Sequence, residues 1–352
     1  MKSLLGVVQA AAFGLALLAP ASARIASAAP AGPTRFALHV ELEAPRELHA
    51  SLAADRAELA LNWAPIHFQG TNQRGAHSLG GAADFIARYD FDGDLNARNN
   101  WQNAGSPRFP LAAHAYFSVT ETPTHWFIVY LFFHPRDWSS SFFDTEHEND
   151  SEGLLLGVAR DGTRYGALKA AVTVAHRDFF SYLPRGSDWR AGAETVDGVL
   201  SLEPYQGGLH PVTAQQDEGH GLKARPYYDI RDRGIVYYPS LGAAEVPRSP
   251  NDRHVSYRLV DIFEPGGMWD NRNNALLFAK FGSFAGDKSD GCGQGALWCA
   301  TNAAHAPWAW DDADDALPAG SLAIDPARLV KRYFRIPEPT SASYTFNPYR
   351  TR

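Results

Sequence analysis

Between Trp126 and Tyr182 the chain alternates apolar runs with clusters of ionisable residues, and this order limits what the remainder can fold into. Trp126 to Phe133 is an unbroken run of aromatic and aliphatic residues, too short to span a bilayer and closed by His134-Pro135. It reads as a buried strand ending near Asp137. After a Ser/Asp/Glu-rich loop, a second strand over Asp150 to Ala159 puts Asp150, Glu152, Leu154, Leu156 and Val158 on one face. Arg160-Asp161-Gly162-Thr163 has hairpin chemistry and returns the chain through a third strand, in which Val172, Val174 and His176 share a side. Folded as an antiparallel meander, the three strands bring Asp137, His147, Asp150, Glu152 and His176 to one rim. Unpaired carboxylates at the mouth of an apolar face are costly, and a hard cation held by oxygens and a His nitrogen would offset that cost. The competing reading is an acidic, solvated loop with His147 on the surface.

The pattern His147-x-x-Asp150-x-Glu152, with Asp137 upstream in Phe133-His134-Pro135-Arg136-Asp137, resembles the necrosis- and ethylene-inducing protein family of secreted microbial toxins over residues 126–182. The hallmark of that family is Gly-His-Arg-His-Asp-Trp-Glu after a Phe-Pro-Lys-Asp turn. A related secreted, vacuolar-sorting-associated family shares the acidic strand start. The resemblance implies a divalent cation, Mg2+ or Ca2+, on Asp137, His147, Asp150 and Glu152, with His176 as a nearby polar contact. Glu146, Asn149 and Ser151 stand where the family has Gly, its second His and Trp.

With 352 residues, 45% of them hydrophobic and 12% aromatic, the chain has the makings of a substantial core. A net charge of -7 without any basic run argues against nucleic acid and against charge-driven docking on anionic membranes. Lys2, the apolar Leu4–Leu18 stretch and the small residues at Ala21 and Ala23 have the form of a secretory signal peptide, cleaved after Ala23 or, as second choice, Ala28. No other segment is long and apolar enough for a spanning helix. In an exported chain Cys292 and Cys299, the only cysteines, are expected to form a local disulfide.

Residues 24–60 read as an N-terminal extension with a strand and a short helix, residues 61–335 as the domain proper, and 336–352 as a tail. Asp90, Asp92, Asp94 and Asn96 alternate as in a calcium loop, but Gly93 and Trp101 depart from an EF-hand, and an Asp-Gly turn explains them equally well. Gly219 and Gly221 around His220 would let the backbone approach a neighbour closely, making His220 either a rim residue or, as favoured here, an exposed turn. The segment from Ala306 to Asp315 reads as a packed Trp pair followed by a solvated acidic turn. Asp325 to Phe334 reads as a short helix with Pro326 in its first turn.

These patterns predict an all-β protein, a two-sheet antiparallel β-sandwich with a few short helices. It is expected to be secreted and monomeric and, as the resemblance implies, to recognise a polar or glycosylated extracellular ligand such as a lipid head group through a bound cation. The alternative is a metal-dependent hydrolase of a phosphodiester or glycan, with Glu152 or His176 moving protons.

Overall fold

The structure, a computed structural model, describes residues 46–141, 146–228, 230, 233–286 and 304–351. The expected signal peptide and the Cys292–Cys299 disulfide lie outside the described residues. The chain opens with α1 (Arg46–Trp63), longer than the short helix expected there, and β1 (Ile66–Gln69). The meander follows as β2 (His114–Glu121), β3 (His125–Asp137), β4 (His147–Ala159), β5 (Ala167–Ala175) and β6 (Asp178–Pro184). Beyond β7 (Arg190–Ala191) come β8 (Gly198–Leu200), β9 (Leu202–Tyr205), β10 (Gly208–Gln215) and β11 (Leu222–Ala224). The last two strands of the main sheet are β12 (Ile235–Ser240) and β13 (Val255–Asp261).

The β3–β4–β5 hairpins form where the sequence places them. Asp161 Oδ1 accepts from the Thr163 amide at 2.9 Å, and Gly162 supplies the left-handed φ of 89° that the turn between β4 and β5 requires.

The two-sheet antiparallel sandwich is overturned. A single hydrogen-bonded sheet of 12 strands runs β11-β10-β1-β12-β13-β2-β3-β4-β5-β6-β8, with β9 paired to β10. It is mixed: β1·β10, β12·β13, β13·β2 and β6·β8 are parallel. Its ends return toward one another, β11 lying against β4, β5 and β8, so the sheet is nearly closed into a barrel. Alternation along a strand could not reveal this, because it reports only that two faces differ. In β3, Phe127, Val129, Leu131 and Phe133 enter one core and Ile128, Tyr130 and Phe132 the other. The second core draws on strands all round the path, including Tyr182, Leu222, Tyr237 and Tyr257, and is the barrel interior. The first core is an outer layer in which Trp269, Trp308, Trp310 and the helix Pro326–Tyr333 cover the meander. Side chains on both faces of β4 are therefore buried along its whole length.

α1 closes the barrel end beside the β4–β5 turn, where Ala60 O accepts from Tyr130 Oη at 2.6 Å and Tyr165 O accepts from Trp63 Nε1 at 2.8 Å. The opposite end carries the rim. Among the described residues no helix is long and apolar enough to cross a membrane.

Tight packing between sheet and outer layer makes Gly153 obligatory, since a Cβ there would collide with Tyr130 O and the Trp310 ring. Gly153→Ala is expected to destabilise by about 1–3 kcal/mol through overpacking, read from urea denaturation midpoints at unchanged m-value.

The Trp pair of Ala306–Asp315 is packed as expected, with Trp308 and Trp310 buried, but Asp312 is buried rather than solvated. Burial raises its pKa, the Tyr333 hydroxyl bonded to it pulls the other way, and Asp314 adds to the rise, leaving it at about 6 instead of 3.8. An acid whose folded pKa exceeds its unfolded value makes the native state hold its proton more tightly. Stability should accordingly rise as pH falls from about 6 to about 4, and Asp312→Asn should flatten that slope in urea denaturation across the pH series.

Candidate functional site

Register builds the rim. Antiparallel pairing sets Asp137 opposite His147, His134 opposite Asp150 and Phe132 opposite Glu152. Asp137 Oδ2 lies 3.1 Å from His147 Nε2. Glu152 Oε1 accepts from the His176 amide at 2.8 Å, while Glu152 Oε2 is buried without a hydrogen-bond partner among the described residues. The His176 side chain is about half exposed, with Nδ1 at 4.0 Å from Glu152 Oε1.

His220 is not the exposed turn expected. It is fully buried, with Nδ1 at 3.0 Å from Asp150 Oδ2 and Nε2 at 3.3 Å from Asp84 Oδ1. Its ring stacks on His134 at 3.8 Å and 4°, and His134 Nε2 lies 3.1 Å from Gln215 Oε1. Gln215 Nε2 donates to the His220 carbonyl at 2.6 Å, tying the turn to β10. The flanking glycines have a steric reason: a Cβ at Gly219 or Gly221 would come within 3.1 Å of the His176 ring.

Sequence reading missed Asp84 altogether. It ends a short 3-10 segment, Leu79–Asp84, in a stretch of Gly, Ala and Phe that gives no hint of chemistry. Its fully buried carboxylate accepts from Trp138 Nε1 at 2.8 Å and from the Glu218 and Asn72 amides at 2.9 and 2.8 Å.

These groups form one electrostatic unit. Burial disfavours the charged form of His147, but Asp137 and then Asp150 outweigh it and push its pKa up to about 9. Burial likewise opposes charge on His220, and the bonds to Asp150 and Asp84 override it, raising it to about 10. Asp150 is held below the usual carboxylate range: burial works against this, and the His220 bond and charge prevail. Glu152 is driven well above that range by burial and by the charge of Asp150, with a smaller push from Asp137. His134, buried beside the His220 cation, is held well below 6.5.

Strain gathers here as well. Of the six non-glycine residues with positive φ among the described residues, Asn149, His176, Glu218 and His220 sit at the rim. Such conformations persist where surrounding structure enforces them, which marks this end as the place to look for function. Beside the rim lies a cleft of about 1040 Å³ lined by Asn72, Gln216, Asp217, Tyr228, Arg233 and Asn251. Asp137, Asp150 and Glu152 do not line it; Gln216 joins the two regions, with its Nε2 at 3.3 Å from His176 Nε2.

Among the described residues no group of three or more His, Cys, Asp and Glu side chains is arranged to hold a metal ion as it stands. The donors are instead engaged with each other, Asp137 with His147 and Asp150 with His220. The donor chemistry, three carboxylates and an imidazole with one carboxylate oxygen orphaned, nonetheless suits a hard divalent cation.

The alternating acidic segment does not form a comparable site. Asp90 pairs with Arg88, Asp92 accepts from the Asp94 amide and Asn103, and Asp94 accepts from the Asn96 amide and Asn99. A turn closed by Gly93 N to Asp90 O at 3.0 Å accounts for it. His67 is buried against the Phe132 ring at 3.9 Å inside the barrel.

No family model matches the chain, and no curated protein is significantly similar to it. Several solved structures are weakly similar. One described as "Toxin fold for microbial attack and plant defense" is 13% identical with a TM-score of 0.30, covering 59% of this chain and 74% of its own. "NLPPya in complex with glucosamine" is 13% identical with a TM-score of 0.29, covering 58% and 72%. The necrosis and ethylene inducing protein 2 from the causal agent of cocoa's Witches Broom disease is 17% identical with a TM-score of 0.28, covering 47% and 66%. Likenesses this low establish neither family nor function for the chain.

Proposed function

We propose that this is an extracellular protein that binds one divalent cation, Mg2+ or Ca2+, through Asp137, His147, Asp150 and Glu152. The cation and the adjoining cleft would then serve to recognise a polar or glycosylated ligand such as a lipid head group. The observation that carries this reading is the orphaned Oε2 of Glu152, buried in the field of Asp150 and Asp137. A bound cation would supply that oxygen with a partner and neutralise the surplus of carboxylates. For His147 Nε2 to become a ligand its proton must leave, so uptake would release a proton from that atom. The cleft supports the recognition half: Gln216 and Asn251 offer amide groups, Asp217 and Arg233 charges and Tyr228 an aromatic face, a mixture that suits a polar ligand.

Elemental analysis of the native protein, with urea denaturation in Mg2+ and Ca2+, tests the reading. A cation at a hundred times its Kd should stabilise the fold by about 2.7 kcal/mol. Protein that contains no metal and gains no stability from either ion would refute it.

A further inference from the structure

Resting on that cation site, we infer that Asn149 is its positioning residue: its left-handed backbone turns its own carbonyl onto His147 Nδ1, and this aims Nε2 at Asp137. Asn149 lies within β4, between His147 and Asp150, with φ of 58°. Strand pairing passes over it, from His134↔Asp150 to Arg136↔Glu148. The kink brings Asn149 O to 2.9 Å from His147 Nδ1, with Glu148 O at 3.2 Å. Both partners are carbonyls and can only accept, so Nδ1 carries the proton and Nε2 is the nitrogen left facing Asp137. A fixed Nδ1–H donor is the arrangement that orients an imidazole toward a metal.

The side chain is anchored to keep the kink in place. Its amide is fully buried and fully used: Nδ2 donates to Ala97 O at 3.0 Å and Ala285 O at 2.9 Å, and Oδ1 accepts from Asn100 Nδ2 at 2.6 Å. Two separate segments, one holding Ala97 and Asn100 and the other Ala285, thus clamp one residue in a conformation that Asn tolerates and that most side chains do not. Asp150, the next residue, leaves the kink with Oδ1 bonded to the Ser151 amide at 2.8 Å and Oδ2 free to meet His220.

Asn149→Gly and Asn149→Ala both delete the amide, but only glycine takes positive φ readily, so the pair isolates the backbone. Two readouts are taken on the full chain: Mg2+ and Mn2+ affinity by calorimetry, and protection of the His147 Nδ1 proton from exchange by NMR. Asn149→Gly should stay within about threefold of wild type with the proton protected, and Asn149→Ala should bind at least tenfold more weakly with the proton exposed. Equal weakening in both variants, or no weakening in either, overturns the inference. If Asn149→Ala does not fold, the glycine variant decides: a lost Nδ1 proton there overturns the inference, and a retained one supports it. If wild type binds no cation, the site reading fails, whereas the proton readout still judges Asn149.

Discussion

His220→Ala should cost about 3–5 kcal/mol in urea denaturation, the range found when one partner of a buried ion pair is deleted. The ring is fully buried, is held in its cationic form between Asp84 and Asp150, and stacks on His134. The loss would not fall evenly. Among the described residues Asp84 keeps three other donors, from Trp138, Glu218 and Asn72, whereas Asp150 keeps only the Ser151 amide on its other oxygen. The unmet cost is therefore concentrated on Asp150, in the strand that carries the candidate cation ligands. A variant within about 1 kcal/mol of wild type would mean that the buried imidazolium is not what balances these carboxylates.

Glu152→Gln should have the opposite profile, with little change in the fold and a large change in binding. Burial and Asp150 already drive the Glu152 acid toward its neutral form, which a glutamine mimics, and the amide oxygen can still accept from the His176 backbone. Metal-free stability should stay within about 1 kcal/mol of wild type or rise. Mg2+ or Ca2+ affinity should fall about a hundredfold, or ~2.8 kcal/mol, when measured by calorimetry. Unchanged affinity would remove Glu152 from the ligand set, and a markedly less stable metal-free variant would show that its charge is structural.

The meander was legible because its strands are adjacent in sequence and its turns carry their own chemistry. The strands expected from Trp126 and from Asp150 are β3, which ends at Asp137 as expected, and β4, which begins earlier, at His147. The helix expected over Asp325–Phe334 likewise forms, spanning Pro326–Tyr333. What stayed hidden depends on residues far apart in the chain. β1 lies parallel to β10 and β13 parallel to β2, and nothing local in Ile66–Gln69 or Val255–Asp261 announces such partners. The same limit divides the site. Asp137, His147, Asp150 and Glu152 share one hairpin, and their places along it could be read from spacing. The Asp84–His220 half could not, because turn glycines beside a histidine are as compatible with solvent as with a close approach to His176.

Asp84 precedes the meander and His220 follows it, so a nascent chain displays the carboxylates of β4 well before their imidazolium arrives. Until β10 and its turn have left the ribosome, Asp150 lacks the imidazolium that bonds its Oδ2, and that oxygen must stay hydrated. That end of the molecule can dehydrate only after synthesis has passed residue 220, which makes closure of the rim a late event set by the order of the chain.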